Sequence, residues 1–130
     1  MKTLLFLTAC LFFPVVAAVN GTAKESPCTP EKWKKAIFQF ELDDAKKPPP
    51  QQSYLFVGSS SIRIWDLPKY FPHEKPINRG YGGSELCDTT HYVKQLILKH
   101  KPRVVVLYAG DNDIARGKSA EQVHQAYNKP

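Results

Sequence analysis

Three short polar segments hold the residue types that acyl-transfer chemistry needs. They are Gly58-Ser59-Ser60-Ser61, Gly80-Tyr81-Gly82-Gly83-Ser84 and Gly110-Asp111-Asn112-Asp113. A serine hydroxyl at a strand-to-helix turn can attack an acyl carbon when a base takes its proton and donors hold the developing oxyanion. The free N–H groups at a helix N-terminus are candidate donors. A glycine in the second segment lets the main chain approach without a Cβ in the way. An asparagine carboxamide in the third adds a side-chain donor, and losing one such donor typically costs about 10²–10³ in rate. Taken singly, each segment reads as ordinary: a Gly-Ser turn, a tight crossover start, an asparagine that caps or turns the backbone. Their shared position raises them above that, because each follows a predicted strand.

The elements that must position these segments alternate. Thr29 is an N-cap candidate, with Pro30 at N1 and Glu31 in the first turn. Trp33, Ala36, Ile37 and Phe40 then recur on one helical face. Lys46-Lys47-Pro48-Pro49-Pro50 ends that helix, because proline removes donors and holds the chain extended. Tyr54 to Val57, closed by Gly58, reads as a buried strand, and Ile62, Ile64 and Trp65 begin a short helix. Asp66 to Pro76 reads as a loop and Ile77-Asn78-Arg79 as a second strand. Ser84 is the expected cap of one helix carrying Leu86, Val93, Leu96 and Ile97, which Pro102 follows. Val104 to Tyr108 is the strongest strand signal, β-branched and unbroken, as expected when helices cover both faces. Ala109 to Asp113 reads as the loop at its end. Ser119 and Gln122 form a capping box for a last helix with Val123, Ala126 and Tyr127 on its apolar face.

A helix followed by three strand–loop–helix units predicts an α/β fold with a parallel sheet and right-handed crossovers. In such sheets ligands bind beyond the C-terminal strand ends, where all three polar segments fall. A nucleotide site is disfavoured: the Gly58–Ser61 segment has no lysine, and no GxGxxG is present.

In this setting the segments resemble the conserved blocks of SGNH (GDSL-type) hydrolases. Leu55 to Ile62 is similar to block I, Asn78 to Ser84 to block II, and Tyr108 to Asp113 to block III, in the family's order. The resemblance covers about residues 33 to 127. It implies a three-layer, flavodoxin-like sheet in the order 2-1-3-4-5, of which this chain supplies strands 2, 1 and 3. It also implies a serine ester hydrolase acting on acetyl or short acyl esters of carbohydrate or lipid. By position, Ser60 falls at the family's nucleophile, and its N–H at the oxyanion. Gly83 and Asn112 fall at the other two oxyanion donors. Ser59 stands where the commoner form has Asp. The family's C-terminal Asp-x-x-His is absent from the sequence. His73, His91, His100 and His124 each read as surface or partly buried side chains, and Glu121-x-x-His124 as a surface helix pair. The chain is therefore expected to be a fragment with little activity of its own, lacking roughly 60–100 further residues. The alternative is a non-catalytic, glycan- or envelope-binding module using the same cleft.

The bulk properties agree with one globular domain: 130 residues, 42% hydrophobic and 23% charged. The helical pattern still runs through Gln122 to Pro130, a further hint of truncation. Lys2, the apolar run Leu4 to Val16 and Val16-Ala17-Ala18 read as a signal peptide cleaved after Ala18. The run is short for a membrane span, so none is expected after cleavage. Leu7-Thr8-Ala9-Cys10 is similar to a lipid-attachment box, but apolar sequence continues past it. The expected organisation is signal peptide 1–18, polar leader 19–28 and partial domain 29–130, in a secreted or periplasmic protein. Removing Lys2 lowers the net charge from +6 to +5. The lysines are scattered without interleaved aromatics, so nucleic acid is not an expected partner. A small-molecule or glycan ester is. No CxxC or HxxxH spacing occurs, so neither metal nor cofactor is expected. Cleavage leaves Cys28 and Cys87, which could pair in an oxidising compartment, or Cys87 could be a small core residue.

Overall fold

The computed structural model describes residues 28–128. The proposed signal peptide and all but the last residue of the polar leader lie outside them. A 3-10 turn (Pro30–Trp33) leads into α1 (Lys34–Lys46). Then come β1 (Tyr54–Gly58), α2 (Ser60–Ile64), α3 (Leu67–Tyr70), β2 (Ile77–Gly80), α4 (Leu86–His91), α5 (Val93–Leu96), a second 3-10 turn (Leu98–His100), β3 (Val104–Tyr108), α6 (Asp111–Ala115) and α7 (Ala120–Asn128). The three strands form one parallel sheet in the order β2-β1-β3. This is the expected α/β class and the expected strand order.

Strand alternation divides the core into two layers, because successive side chains point to opposite faces. Leu55 and Val57 of β1 face a cluster with Ile37, Ile77, Tyr81, Tyr92 and Leu96. Trp33, Ala36 and Phe40 pack against it, so the predicted stripe of the first helix is its buried face. Phe56 points the other way, into a smaller cluster with Ile62 and Leu67. A disulfide joins Cys28 to Cys87, Cα atoms 6.0 Å apart, and ties the start of the described chain to α4. Of the two readings left open for these cysteines, pairing is the one observed.

Several local expectations are corrected. The segment Asp66 to Pro76 contains a helical turn, α3, whose N-cap Asp66 accepts from the Lys69 N–H. The helix after β2 starts at Leu86, one residue later than a Ser84 cap would give. Ser84 is buried, its hydroxyl donating to the Tyr81 carbonyl, so it does not cap. Glu85 takes the N-cap position, and the Asp88 carboxylate accepts its N–H at 2.9 Å. That helix is also not continuous. It breaks at Tyr92, whose ring is buried in the first cluster and whose hydroxyl donates to the Pro30 carbonyl at 2.9 Å. Asp111 to Asp113 begin a short helix, where a loop was expected.

The largest correction concerns β3. Its apolar run was expected to be covered on both faces, yet among the described residues Val104, Val105, Leu107 and Tyr108 are all exposed. β3 is an edge strand here, and only Val106 is half-buried. The last helix has the predicted capping box: Ser119 N–H donates to Gln122 Oε1 at 2.8 Å, and Gln122 N–H to Ser119 Oγ at 3.2 Å. None of its residues is buried.

Candidate active site

Strand register brings the three polar segments together. Gly58 pairs with Gly80 on one side and with Tyr108 on the other. The chain therefore leaves all three strands at one level of the sheet, at their C-terminal ends. Close approach at this level requires glycine: a Cβ on Gly58 would lie 1.9 Å from the Tyr108 carbonyl oxygen. The Ser59 N–H donates to that oxygen at 3.2 Å and the Tyr81 N–H to the Gly58 carbonyl at 3.0 Å, stitching the first turn to both neighbours.

The three serines of the first turn have different surroundings. Ser59 is fully buried, and its hydroxyl donates to Asp111 Oδ1 at 3.3 Å. It is committed to holding the first and third segments together. Ser61 is exposed. Ser60, half-buried, is the first residue of α2, where the helix leaves N–H groups without intrahelical partners. Among the described residues no side chain hydrogen-bonds the Ser60 hydroxyl, the sequence-based nucleophile candidate.

Gly83 and Asn112 are brought to one place. Asn112 Nδ2 donates to the Ser84 carbonyl at 2.9 Å, next to Gly83, and its second amide N–H is left for another acceptor. Gly83 has φ +75°, and a Cβ there would touch Trp33 and Arg116 only at ordinary contact distance. The requirement for glycine at this position is thus conformational and not the close approach expected from sequence.

Sequence reasoning missed the groups that hold this loop. Asp113 is fully buried, accepting from the Leu86 N–H at 3.0 Å and from Lys118 Nζ at 3.0 Å. Lys118 also donates to Glu85 Oε2 at 2.7 Å. Arg116 donates to Glu85 Oε1 at 2.6 Å and to the Gly83 carbonyl at 3.0 Å. Burial works against the charge on Glu85, but hydrogen bonds from Lys118 and Arg116 outweigh it and hold the carboxyl below its usual range. Burial likewise opposes the Lys118 ammonium, and bonds to Glu85 and Asp113 raise its pKa nonetheless. The available signal was modest: two basic residues close behind Asp113, facing an acidic residue behind Gly83.

Beside Gly83 lies a hollow of about 160 Å³ lined by Thr29, Lys32, Trp33, Gly83, Glu85, Asp88 and Arg116. Tyr81 packs edge-on against Trp33, and burial pushes its hydroxyl up to about 12. The three potential metal ligands that cluster among the described residues are Cys28, Cys87 and Asp88. Both thiols are consumed by the disulfide, and Asp88 is engaged by the Trp33 indole N–H and the Glu85 N–H.

Among the described residues, no histidine hydrogen-bonds a residue of the three segments. His100 is buried before β3, at the opposite end of that strand, with Nε2 3.7 Å from Asp44 Oδ2. His91 stacks edge-on with Tyr92, exposed His124 pairs with Asn128, and His73 is exposed in the loop before β2. No described helix is long and apolar enough to cross a membrane.

No family model and no curated protein matches the chain. Two solved structures are similar in fold. One is named "putative platelet activating factor" from Streptococcus pneumonia, with TM-score 0.62 and 16% identity over 74% of this chain and 45% of that one. The other is named "putative acylhydrolase" from Bacteroides fragilis, with TM-score 0.58 and 24% identity over 68% of this chain and 47% of that one. The chain thus spans less than half the length of either structure. With its β2-β1-β3 parallel sheet and flanking helices, it has the α/β fold of part of those two proteins.

Proposed function

We propose that this chain is the nucleophile-bearing part of an SGNH-type serine ester hydrolase. Ser60 Oγ attacks the acyl carbon and its proton passes to a base. The oxyanion that forms is held by the N–H groups of Ser60 and Gly83 and by Asn112 Nδ2. Collapse of the tetrahedral adduct expels the alcohol, which takes up the proton, and water then hydrolyses the acyl-serine by the same route. Among the described residues no histidine hydrogen-bonds the Ser60 hydroxyl, and the base is assigned to the Asp-x-x-His block that the resemblance implies. One observation carries the proposal: the in-register strand ends and the Ser59–Asp111 and Asn112–Ser84 bonds gather the three segments on one rim. The name of one structural neighbour, a putative acylhydrolase, points the same way.

Short acyl esters, acetyl above all, on carbohydrate or lipid are the proposed substrates. The disulfide supports a secreted or periplasmic location, since such bonds persist in oxidising compartments.

The test is hydrolysis of p-nitrophenyl acetate by the protein encoded by the gene's whole reading frame. Ser60→Ala is expected to lower kcat by about 10³-fold or more, while the 130-residue chain alone gives only residual turnover. Unchanged turnover in Ser60→Ala removes Ser60 from the mechanism. Glycan binding without any ester turnover would favour the non-catalytic alternative.

A further inference from the structure

Among the described residues, the Gly83 carbonyl is held by a side chain from outside its own loop. Gly83 sits at φ +75°, and glycine leaves such a peptide free to rotate. Within the segment Ser84 holds the Tyr81 carbonyl and Asp88 the Glu85 N–H, but the Gly83 carbonyl is held from a different segment, the turn that starts at β3 and ends at Lys118. Asn112 takes the Ser84 carbonyl and Asp113 the Leu86 N–H. Arg116 takes the Gly83 carbonyl and one oxygen of Glu85, and Lys118 takes the other. Lys118 is tied back to Asp113, so the clamp closes on itself.

We propose that Arg116 is a positioning residue for the Gly83 donor, locking the peptide that follows it and thereby its distance from the Asn112 carboxamide. The proposal rests on the acyl-transfer reading of the site. It goes beyond that reading by giving a task to Arg116, which touches none of the reacting atoms. Arg116 is the part of the clamp that acts on Gly83 directly. Its side chain is 40% exposed, whereas those of Lys118 and Glu85 are only 9% and 7% exposed. Removing Arg116 leaves Glu85 still paired with Lys118, so the fold survives while the Gly83 carbonyl loses its donor. Preorganisation of oxyanion donors acts on kcat, because the donors engage charge that develops only in the transition state.

Two measurements test this. In the 130-residue chain, Arg116→Ala is expected to drop the Gly83 backbone order parameter from about 0.85 to below about 0.6, with β1 unchanged. In the whole protein, Arg116→Ala is expected to lower kcat about tenfold with KM little changed, and Arg116→Lys to recover much of the loss. An unchanged Gly83 order parameter overturns the proposal whatever the activity. So does an unchanged kcat in an enzyme that Ser60→Ala inactivates. A Ser60→Ala variant that keeps its turnover instead overturns the catalytic reading and leaves the order-parameter result to stand alone.

Discussion

β1 and β3 are five-residue apolar strands paired in register, and their surroundings are opposite. Four of the five β1 residues are buried, and none of the β3 residues is. β1 lies between two strands with a cluster on each face, while β3 has a partner on one edge only. Beside β3, hollows of about 390 Å³ and about 250 Å³ open on either face, lined by Tyr108 and Val106 on one and by Val105 on the other. An unbroken β-branched run therefore reports what a strand is able to bury, not what covers it. The candidate site straddles the seam: Ser60 follows the closed strand, Asn112 follows the open one, and side-chain bonds cross between them.

That contrast can be broken by experiment. The largest effect belongs to the closed side. Replacing Cys28 and Cys87 by serine is expected to cost about 4 kcal/mol in a chain-entropy account, for a bridge closing 59 residues, and urea denaturation reads the loss. Next, Leu55→Ala, at a fully buried β1 position, is expected to cost about 3 kcal/mol. Val105→Ala, at a β3 position 44% exposed, is expected to cost under about 1 kcal/mol. Equal losses at the two sites would mean that β3 is as well covered as β1.

His100 sharpens the same contrast through pH. Burial, then the nearby Arg79 charge, lowers its pKa from 6.5 to about 4; Asp44 opposes this and Lys99 adds to it. Above pH 6.5 both folded and unfolded chains hold it neutral. Between pH 6.5 and 4 the unfolded chain binds a proton that the folded one refuses, so stability falls as pH falls. The expected loss is at most about 3 kcal/mol, and His100→Asn should flatten that part of the stability–pH curve. A wild-type curve already flat there would show that His100 is not held neutral. The smallest effect is expected at Leu107→Lys on β3: a melting temperature little changed, and less binding of an apolar dye because the exposed patch is broken. A large fall in melting temperature would contradict an open β3.

Much of the architecture was legible in the sequence. The stripe through Trp33, Ala36, Ile37 and Phe40 packs on the first cluster as its spacing requires, Ile37 buried and the others partly so, and the Ser119–Gln122 box closes as written. These are local patterns, where neighbours in sequence are neighbours in space. Ser84 misled because its hydroxyl had a choice between capping a helix and turning inward to the Tyr81 carbonyl, and only packing chooses. The break at Tyr92 was hidden for a similar reason, since the partner of its hydroxyl is a carbonyl far away at Pro30.

The sequence by itself determined the order of the three strands, the strand-end placement of the Gly-Ser, Gly-Gly and Asn-Asp segments, and the residue types offered there. Those follow from period, propensity and turn chemistry, which act over a few residues. Tertiary structure alone decided which serine is committed to Asp111 and that Gly83 needs its conformation and not its slimness. It also decided that Arg116 and Lys118 reach back to Glu85, and that β3 lies open. Each depends on groups about 30 or more residues apart, or on how many neighbours a strand acquires, and no local pattern encodes such distances.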